Sequence, residues 1–314
     1  MNIDWNSTSA QLQSYKDKIL QTVKPSIEMT LAPSLDLTLW QSKFGGSPYL
    51  PMGQTYPKSE SGDNLQLLAQ INFAELPENT QYPSTGILQF FINPFDDLYG
   101  LDFDDQQKQD GFRIIFHEKM TQDISQLQQD FPISEIEDLA SPVVGQYAIT
   151  FTTSESVIGM NDFQFSEKIV DVYETLGDDE GEEFAEEYDG FYSSNGHRLG
   201  GYPFFTQSDP REYTDVIKPY ILLLQVDTDD SDGVEIMWGD SGVGNFFIHP
   251  DDLKKGDFSP IIKRKKENDM SLILMMKNQN GLVAVSDSKS TISNGMEEEY
   301  GRNVQKIFKG NNYI

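Results

Sequence analysis

The feature that most constrains the fold is a repetition of long period. Ser42-Lys43-Phe44-Gly45-Gly46-Ser47-Pro48-Tyr49-Leu50 is echoed by His197-Arg198-Leu199-Gly200-Gly201-Tyr202-Pro203-Phe204-Phe205, an offset of 197 − 42 = 155 residues. Leu67-Leu68-Ala69-Gln70-Ile71-Asn72 returns as Leu222-Leu223-Leu224-Gln225-Val226-Asp227 at the same offset. Gly86-Ile87-Leu88-Gln89-Phe90-Phe91-Ile92 returns as Gly242-Val243-Gly244-Asn245-Phe246-Phe247-Ile248, now 242 − 86 = 156 residues away. Such a period is far too long for a solenoid or a propeller blade. It predicts two similar half-domains packed about a pseudo-twofold axis, because a duplicated unit can bury the same patch twice. The expected division is a first half over 1–150, a second over 151–262, and a C-terminal extension over 263–314 packed on or beside the second half.

Periodicity fills in the elements. Ser7 or Thr8 is placed to cap a helix with Leu12, Tyr15, Ile19 and Val23 on one face, ended by Pro25. Alternating stretches predict strands at 27–31, 35–40, 65–73, 87–92, 112–117, 147–152 and 220–226. A second helix is expected from Asp162 to Leu176, followed by an acidic run from Asp178 to Asp189 that reads as a solvated helix face or a mobile loop. Ser271–Met276 and Leu282–Val285 read as a closing hairpin, and Arg302–Lys309 as a terminal helix. Strands outnumber helices without βαβ alternation, which favours a β-rich α+β fold.

Charge narrows the partners. The chain of 314 residues carries 23 Lys and Arg against 51 Asp and Glu, a net charge of −28, and has no cysteine. That charge opposes nucleic acid and anionic lipid, and suits either simple solubility or a basic protein partner. The absence of cysteine excludes disulfides, thiol catalysis and thiolate metal sites. Met1–Trp5 lacks the basic and apolar regions of a signal peptide, and no apolar run reaches membrane-spanning length, so a cytoplasmic protein is expected.

Three motifs invite chemistry and do not sustain it. Gly239-Asp240-Ser241-Gly242 looks like a serine-protease nucleophile. However, Trp238-x-x-Ser241-Gly242-Val243 aligns with Tyr82-x-x-Thr85-Gly86-Ile87, which is the pattern of a turn entering a strand. Gly239-x-x-Gly242-x-Gly244 has the wrong spacing for a dinucleotide loop and precedes a strand. Asp227-x-Asp229-x-Ser231-Asp232-Gly233 resembles a calcium loop, yet glycine falls at the seventh position and Trp238 stands where a bidentate Glu belongs. A polar hairpin turn is expected there, and no metal or cofactor is assigned.

Residues common to both copies are read as structural: Gly45, Gly46, Pro48, Gln70 and Gly86 with Gly200, Gly201, Pro203, Gln225 and Gly242. Gln70 and Gln225 lie among apolar neighbours, so each is expected to satisfy buried backbone groups. Function is sought where the copies differ, at His197 (against Ser42), Trp238 (against Tyr82) and Asp240 (against Ser84), together with the shared cation Lys43/Arg198. His197, Arg198, Trp238, Asp240 and Lys43 are therefore the ligand-binding candidates, with a turn-stapling role as the alternative for His197 and Arg198. His249, ahead of Pro250, is read as a turn residue. No catalytic residue is assigned.

These blocks, with Gly196-His197-Arg198-Leu199-Gly200-Gly201-Tyr202-Pro203 and Trp238-Gly239-Asp240-Ser241-Gly242, resemble the YwqG-like family of bacterial proteins. The resemblance covers about residues 35–262. It implies a domain of unknown function and brings no catalytic residues with it. The C-terminus departs from that pattern, because Lys263-Arg264-Lys265-Lys266 and a further stretch follow Asp257-Phe258. Two functions follow as expectations. The first is a non-catalytic binding protein, one form being an acidic immunity-type inhibitor of a basic partner; the second is an enzyme or ligand-binding protein with a cleft between the halves.

Overall fold

A computed structural model describes residues 5–96, 98–99, 109–132, 141–192, 194–206, 209–213, 218–239 and 241–258, with the backbone of Leu272–Lys277. The fold is β-rich, with few helices. Along the chain the strands are β1 (Lys24–Pro33), β2 (Lys43–Gly45), β3 (Gln66–Asn72), β4 (Ile87–Ile92), β5 (Phe112–His117), β6 (Gln146–Ser156), β7 (His197–Gly200), β8 (Ile221–Asp227), β9 (Val243–Ile248) and β10 (Leu272–Lys277). They form one antiparallel sheet in the order β10-β9-β8-β7-β1-β6-β2-β3-β4-β5. The long ribbon β1–β6 is its centre, running from Lys24↔Ser156 to Pro33↔Tyr147. β6 passes through the boundary expected at residues 150–151.

Period-two alternation assigns the faces. Leu88, Phe90 and Ile92 of β4, and Phe246 and Ile248 of β9, point into one large core, where Phe90 and Phe246 meet edge-on with ring centroids 4.8 Å apart. Leu67 and Phe91 lie in a small cluster of their own, and Leu222 and Phe247 in another. β3 and β8 each carry an irregularity at the same place in the pattern, between Leu67 and Ala69 and between Leu222 and Leu224.

The N-terminal helix differs from expectation. Ser9 is the cap, its Oγ accepting from Leu12 N–H at 3.1 Å, and the helix breaks at Tyr15 into α1 (Ala10–Ser14) and α2 (Lys16–Leu20). Tertiary packing decides this: Leu12 and Ile19 are both buried, and the Tyr15 ring packs edge-on against Phe184. The helix expected over 162–176 is also broken, into α3 (Phe165–Lys168) and α4 (Val172–Leu176). Asp171 restarts it by accepting from Glu174 N–H at 3.2 Å. The acidic run is the helix α5 (Asp178–Phe191), with Phe184 and Tyr188 buried one turn apart and most carboxylates on the open side. Residues 35–40 are not a strand. Their carbonyls are taken by side chains from β2 and β3, with Gln70 on Leu39, Asn72 on Trp40 and Lys43 on Thr38, while Leu35 stands 95% exposed.

A last helix, α6 (Pro250–Lys255), follows His249, whose Nδ1 accepts from Asp251 N–H as its N-cap. Beyond it, β10 pairs with β9 from Leu272↔Ile248 to Lys277↔Val243. The second arm of the expected hairpin, the terminal helix and the Lys263–Lys266 cluster lie outside the described residues. Among the described residues no helix is long and apolar enough to cross a membrane.

Candidate functional site

Among the residues singled out by sequence, His197, Arg198 and Lys43 are spent on backbone, while Trp238 packs with its Nε1 unpaired. His197 is buried; its Nδ1 accepts from Asp227 N–H at 3.0 Å, which leaves Nε2 to donate to Asp229 Oδ2 at 3.3 Å. Burial holds its pKa below the ordinary histidine value against the pull of Asp229, so the ring is neutral at pH 7. Ser42 does the corresponding work in the first half, its Oγ accepting from Asn72 N–H at 2.8 Å. Lys43 is wholly buried and donates to the carbonyls of Thr38 and Ser47 at 2.7 and 3.1 Å. Burial lowers its pKa to about 8 despite Glu75. Arg198 donates to the Asn195 carbonyl and to Tyr192 Oη. Trp238 is buried over Gly244, where a Cβ would lie 2.5 Å from the indole. Asp240 lies outside the described residues. Asp227 and Asp229 serve their own turn, accepting from Gly196, Thr228 and Ser231. Among the described residues no group of three or more His, Asp or Glu gathers as a metal site.

Gln70 and Gln225 have the same job. Gln70 Oε1 accepts from Tyr49 N–H and its Nε2 donates to Leu39 and Gln41. Gln225 Oε1 accepts from Phe204 N–H and its Nε2 donates to Ser194 and Gly196. The first half extends this into a buried chain. Gln89 donates to Gln70 Oε1 and Tyr49 O, and accepts from His117 Nε2 at 2.9 Å. Burial pulls the His117 pKa down to about 4. The ring is thus neutral and acts as a structural donor.

An open site lies instead beside the Gly45-Gly46-Ser47-Pro48 loop. A cleft of about 300 Å³ is walled by Gly46 and Pro48, the Tyr56 ring, Asn64 and Gln66 at the start of β3, Phe131, and Val144–Gln146. Gly46 has φ +71°, and a Cβ there would lie 2.0 Å from Gln146 Oε1, so only glycine lets the loop lie this close to β6. Gln66 is oriented by its Nε2, which donates to Val143 O at 3.1 Å. Its Oε1 is buried and has no hydrogen-bond donor, and the same is true of Asn64 Oδ1. A buried acceptor left unmade costs about 1–3 kcal/mol, and both oxygens carry that penalty with almost no surface open to solvent. Two larger depressions, near Arg113 and near α6, hold no such atom; the Arg113 guanidinium already serves the Gln109 and Lys58 carbonyls.

The comparison with known families bears on this site. A domain of unknown function, DUF1963, matches residues 42–264. The chain belongs to the DUF1963 family. No curated protein matches it. Every wall of the cleft falls inside the DUF1963 match, whereas β1 and β10 fall outside it.

The residues 155 positions further on within the DUF1963 domain are of a different kind. Tyr202, 155 residues after Ser47, is buried at 1% exposure, with Lys24 Nζ 3.9 Å above its ring. Ile221 stands for Gln66, Pro219 for Asn64 and Arg211 for Tyr56. The Arg211 guanidinium is buried against Asp209 and Asp162, donates to Tyr220 O, and stacks over Phe163 and Phe247 at 5.1 and 5.2 Å. Sequence reasoning passed over both features. The signal available was copy-to-copy disagreement inside an aligned block: Ser against Tyr, Gln against Ile, Tyr against Arg.

Proposed function

We propose that this protein is a non-catalytic binding protein that takes its ligand in the first-half cleft. The observation that carries the reading is the cleft beside Gly46, where Gln66, held by its bond to Val143 O, lines the wall with the Tyr56 and Phe131 rings. The histidines and the shared cations are committed to holding turns and Trp238 to packing, which leaves the cleft as the place offered to a ligand.

The reading includes a duplicated architecture of the YwqG-like kind, with the two leading strands exchanged. Three features support it. Ser26 of β1 pairs with Gly200 as Gln146 of β6 pairs with Gly45. Lys43 pairs with Gln70 as Arg198 pairs with Gln225. Phe112 of β5 pairs with Ile92 as Leu272 of β10 pairs with Ile248. The halves of this proposal are β2–β5 completed by β6, and β7–β10 completed by β1, in a cytosolic chain. Divergence then explains the asymmetry, one cleft plugged by Tyr202 and the other left open. A fragment screen by ligand-observed NMR tests this. Fragments that bind the wild type and lose binding in Gln66→Leu are expected; a screen whose every hit survives that change refutes the reading.

A further inference from the structure

Lys24, at the head of β1, is an amine that the fold holds in place and leaves chemically open. We propose that its side-chain nitrogen is a site of acylation by small activated acyl groups, carried as acyl phosphates or acyl thioesters. The site is independent of the cleft. Lys24 pairs with Ser156 at the end of the β1–β6 ribbon and is half-buried. Its Nζ lies 3.9 Å above the centre of the Tyr202 ring, which is 1% exposed and so forms a fixed floor. Among the described residues the nitrogen has no hydrogen-bond or ion-pair partner, yet it keeps some surface open to solvent. Other lysines are committed. Lys43 is wholly buried and donates to the carbonyls of Thr38 and Ser47, Lys18 donates to Ile169 O at 2.7 Å, and Lys255 lies 3.7 Å from an Asp252 oxygen. Of these four, Lys24 alone combines a seat set by packing with a nitrogen that is both unpaired and reachable.

The surrounding charges favour the neutral amine. Asp162 is the carboxylate that pulls on Lys24, but it is buried and already paired with Arg211 at 2.8 Å. Lys168 and Arg211 push the other way. Burial is the largest influence, and with these two cations it brings the Lys24 pKa from 10.5 down to about 8 against Asp162. At pH 7.5 about a quarter of the amine is then neutral, against about one part in a thousand for an ordinary lysine. A desolvated lysine beside other cations is a nucleophile near neutral pH. Lys43 shares a pKa of about 8 without sharing the access, so the two lysines separate basicity from reachability. In the step itself the neutral Nζ attacks the acyl carbonyl carbon and a C–N bond forms. The C–O bond to phosphate or the C–S bond to the thiol breaks, the leaving group keeps the electron pair, and the nitrogen's proton passes to water. Nothing is oxidised or reduced. The product is a neutral amide over the Tyr202 ring, and the net charge becomes −28 − 1 = −29.

The test uses the full native chain, with no variant that has to fold, and two ¹³C-labelled acetyl donors, acetyl phosphate and S-acetyl-N-acetylcysteamine. Initial rates at single lysines are read by mass spectrometry of Glu-C peptides. At pH 7.5 Lys24 is expected to acetylate at least about tenfold faster than the exposed Lys254, with Lys43 unmodified. Its rate should level off above about pH 8 while that of Lys254 keeps rising. In urea, which dissolves the seat, all three rates should converge. A native rate at Lys24 no higher than at Lys254 with either donor overturns the assignment, and so does a rate that climbs with pH in step with Lys254. A lead that persists in urea overturns it too, because it would belong to the local sequence and not to the fold. Faster transfer from acetyl phosphate identifies acyl phosphates as the source, faster transfer from the thioester identifies acyl thioesters, and both outcomes support the site.

Discussion

Gln70 offers the sharpest test of how the sheet and its loops are joined. The side chain is fully buried, accepts from Tyr49 N–H at 2.7 Å, and donates to Leu39 O and Gln41 O at 2.8 Å each. Gln70→Leu keeps the volume and the apolar packing but leaves three backbone groups without a partner. Gln89 retains Tyr49 O and so loses only one of its contacts. At about 1–3 kcal/mol per orphaned group, and with the two carbonyls only partly buried and able to reach water, the low end applies and the expected loss is about 3 kcal/mol. Equilibrium urea unfolding measures it. With a slope of about 3 kcal/mol/M for a chain of this size, the midpoint falls by about 1 M. Gln225→Leu removes the equivalent bonds to Phe204, Ser194 and Gly196, so it should cost about the same. Exposed Gln54→Leu serves as the control, with a shift of less than about 0.2 M. A midpoint for Gln70→Leu within that control range would refute the claim that the glutamine holds the loop.

Other perturbations follow from the same bookkeeping of buried polar groups. His117 has a folded pKa of about 4 against an unfolded value of 6.5, so the unfolded chain binds its proton first. The stability it contributes is whole above pH 6.5 and is lost as pH falls toward 4, by about 3 kcal/mol at the end of that window. A pH series of unfolding free energies should therefore be flatter in His117→Asn than in the wild type between pH 4 and 6.5. Arg211→Met strands the carboxylates of Asp162 and Asp209, which are 2% and 0% exposed, and should cost about 3–5 kcal/mol. Adding Asp162→Asn and Asp209→Asn should recover more than half of that in the same unfolding assay.

Much of the fold is written in local pattern because each strand has one face to bury. β3, β4 and β8 follow the alternation that sets Leu88, Phe90 and Ile92 apart from Gln89 and Phe91, and their boundaries lie within a residue or two of expectation. Where pattern misleads, a tertiary partner has intervened. Leu35–Trp40 alternates like a strand, but Gln70, Asn72 and Lys43 reach its carbonyls first. The helix expected over 162–176 is interrupted because Ile169 and Val170 are buried at the break and Asp171 recaps the chain. The strand order was beyond local reading. Nothing in residues 24–33 or 146–156 announces that β1 pairs with β7 and β6 with β2, since that pairing is a property of the assembled sheet.

The site is harder to read than the fold for a physical reason. A repeat draws attention to what both copies keep, and to chemically loud differences such as His197 against Ser42. In the structure these two side chains do one job, each accepting the backbone N–H of the residue that ends its neighbouring strand. A hydroxyl oxygen and an imidazole nitrogen are interchangeable as acceptors, so a conspicuous substitution carries no new chemistry. The quiet differences behave otherwise. Ser47 against Tyr202 exchanges a small side chain for one that fills the space, and Gln66 against Ile221 exchanges an amide for an alkyl group on the same strand position. Each removes volume or adds an unmet acceptor on the first-half side. Because a buried acceptor without a donor is costly, Gln66 carries a penalty that Ile221 avoids, offset in part by its own bond to Val143 O.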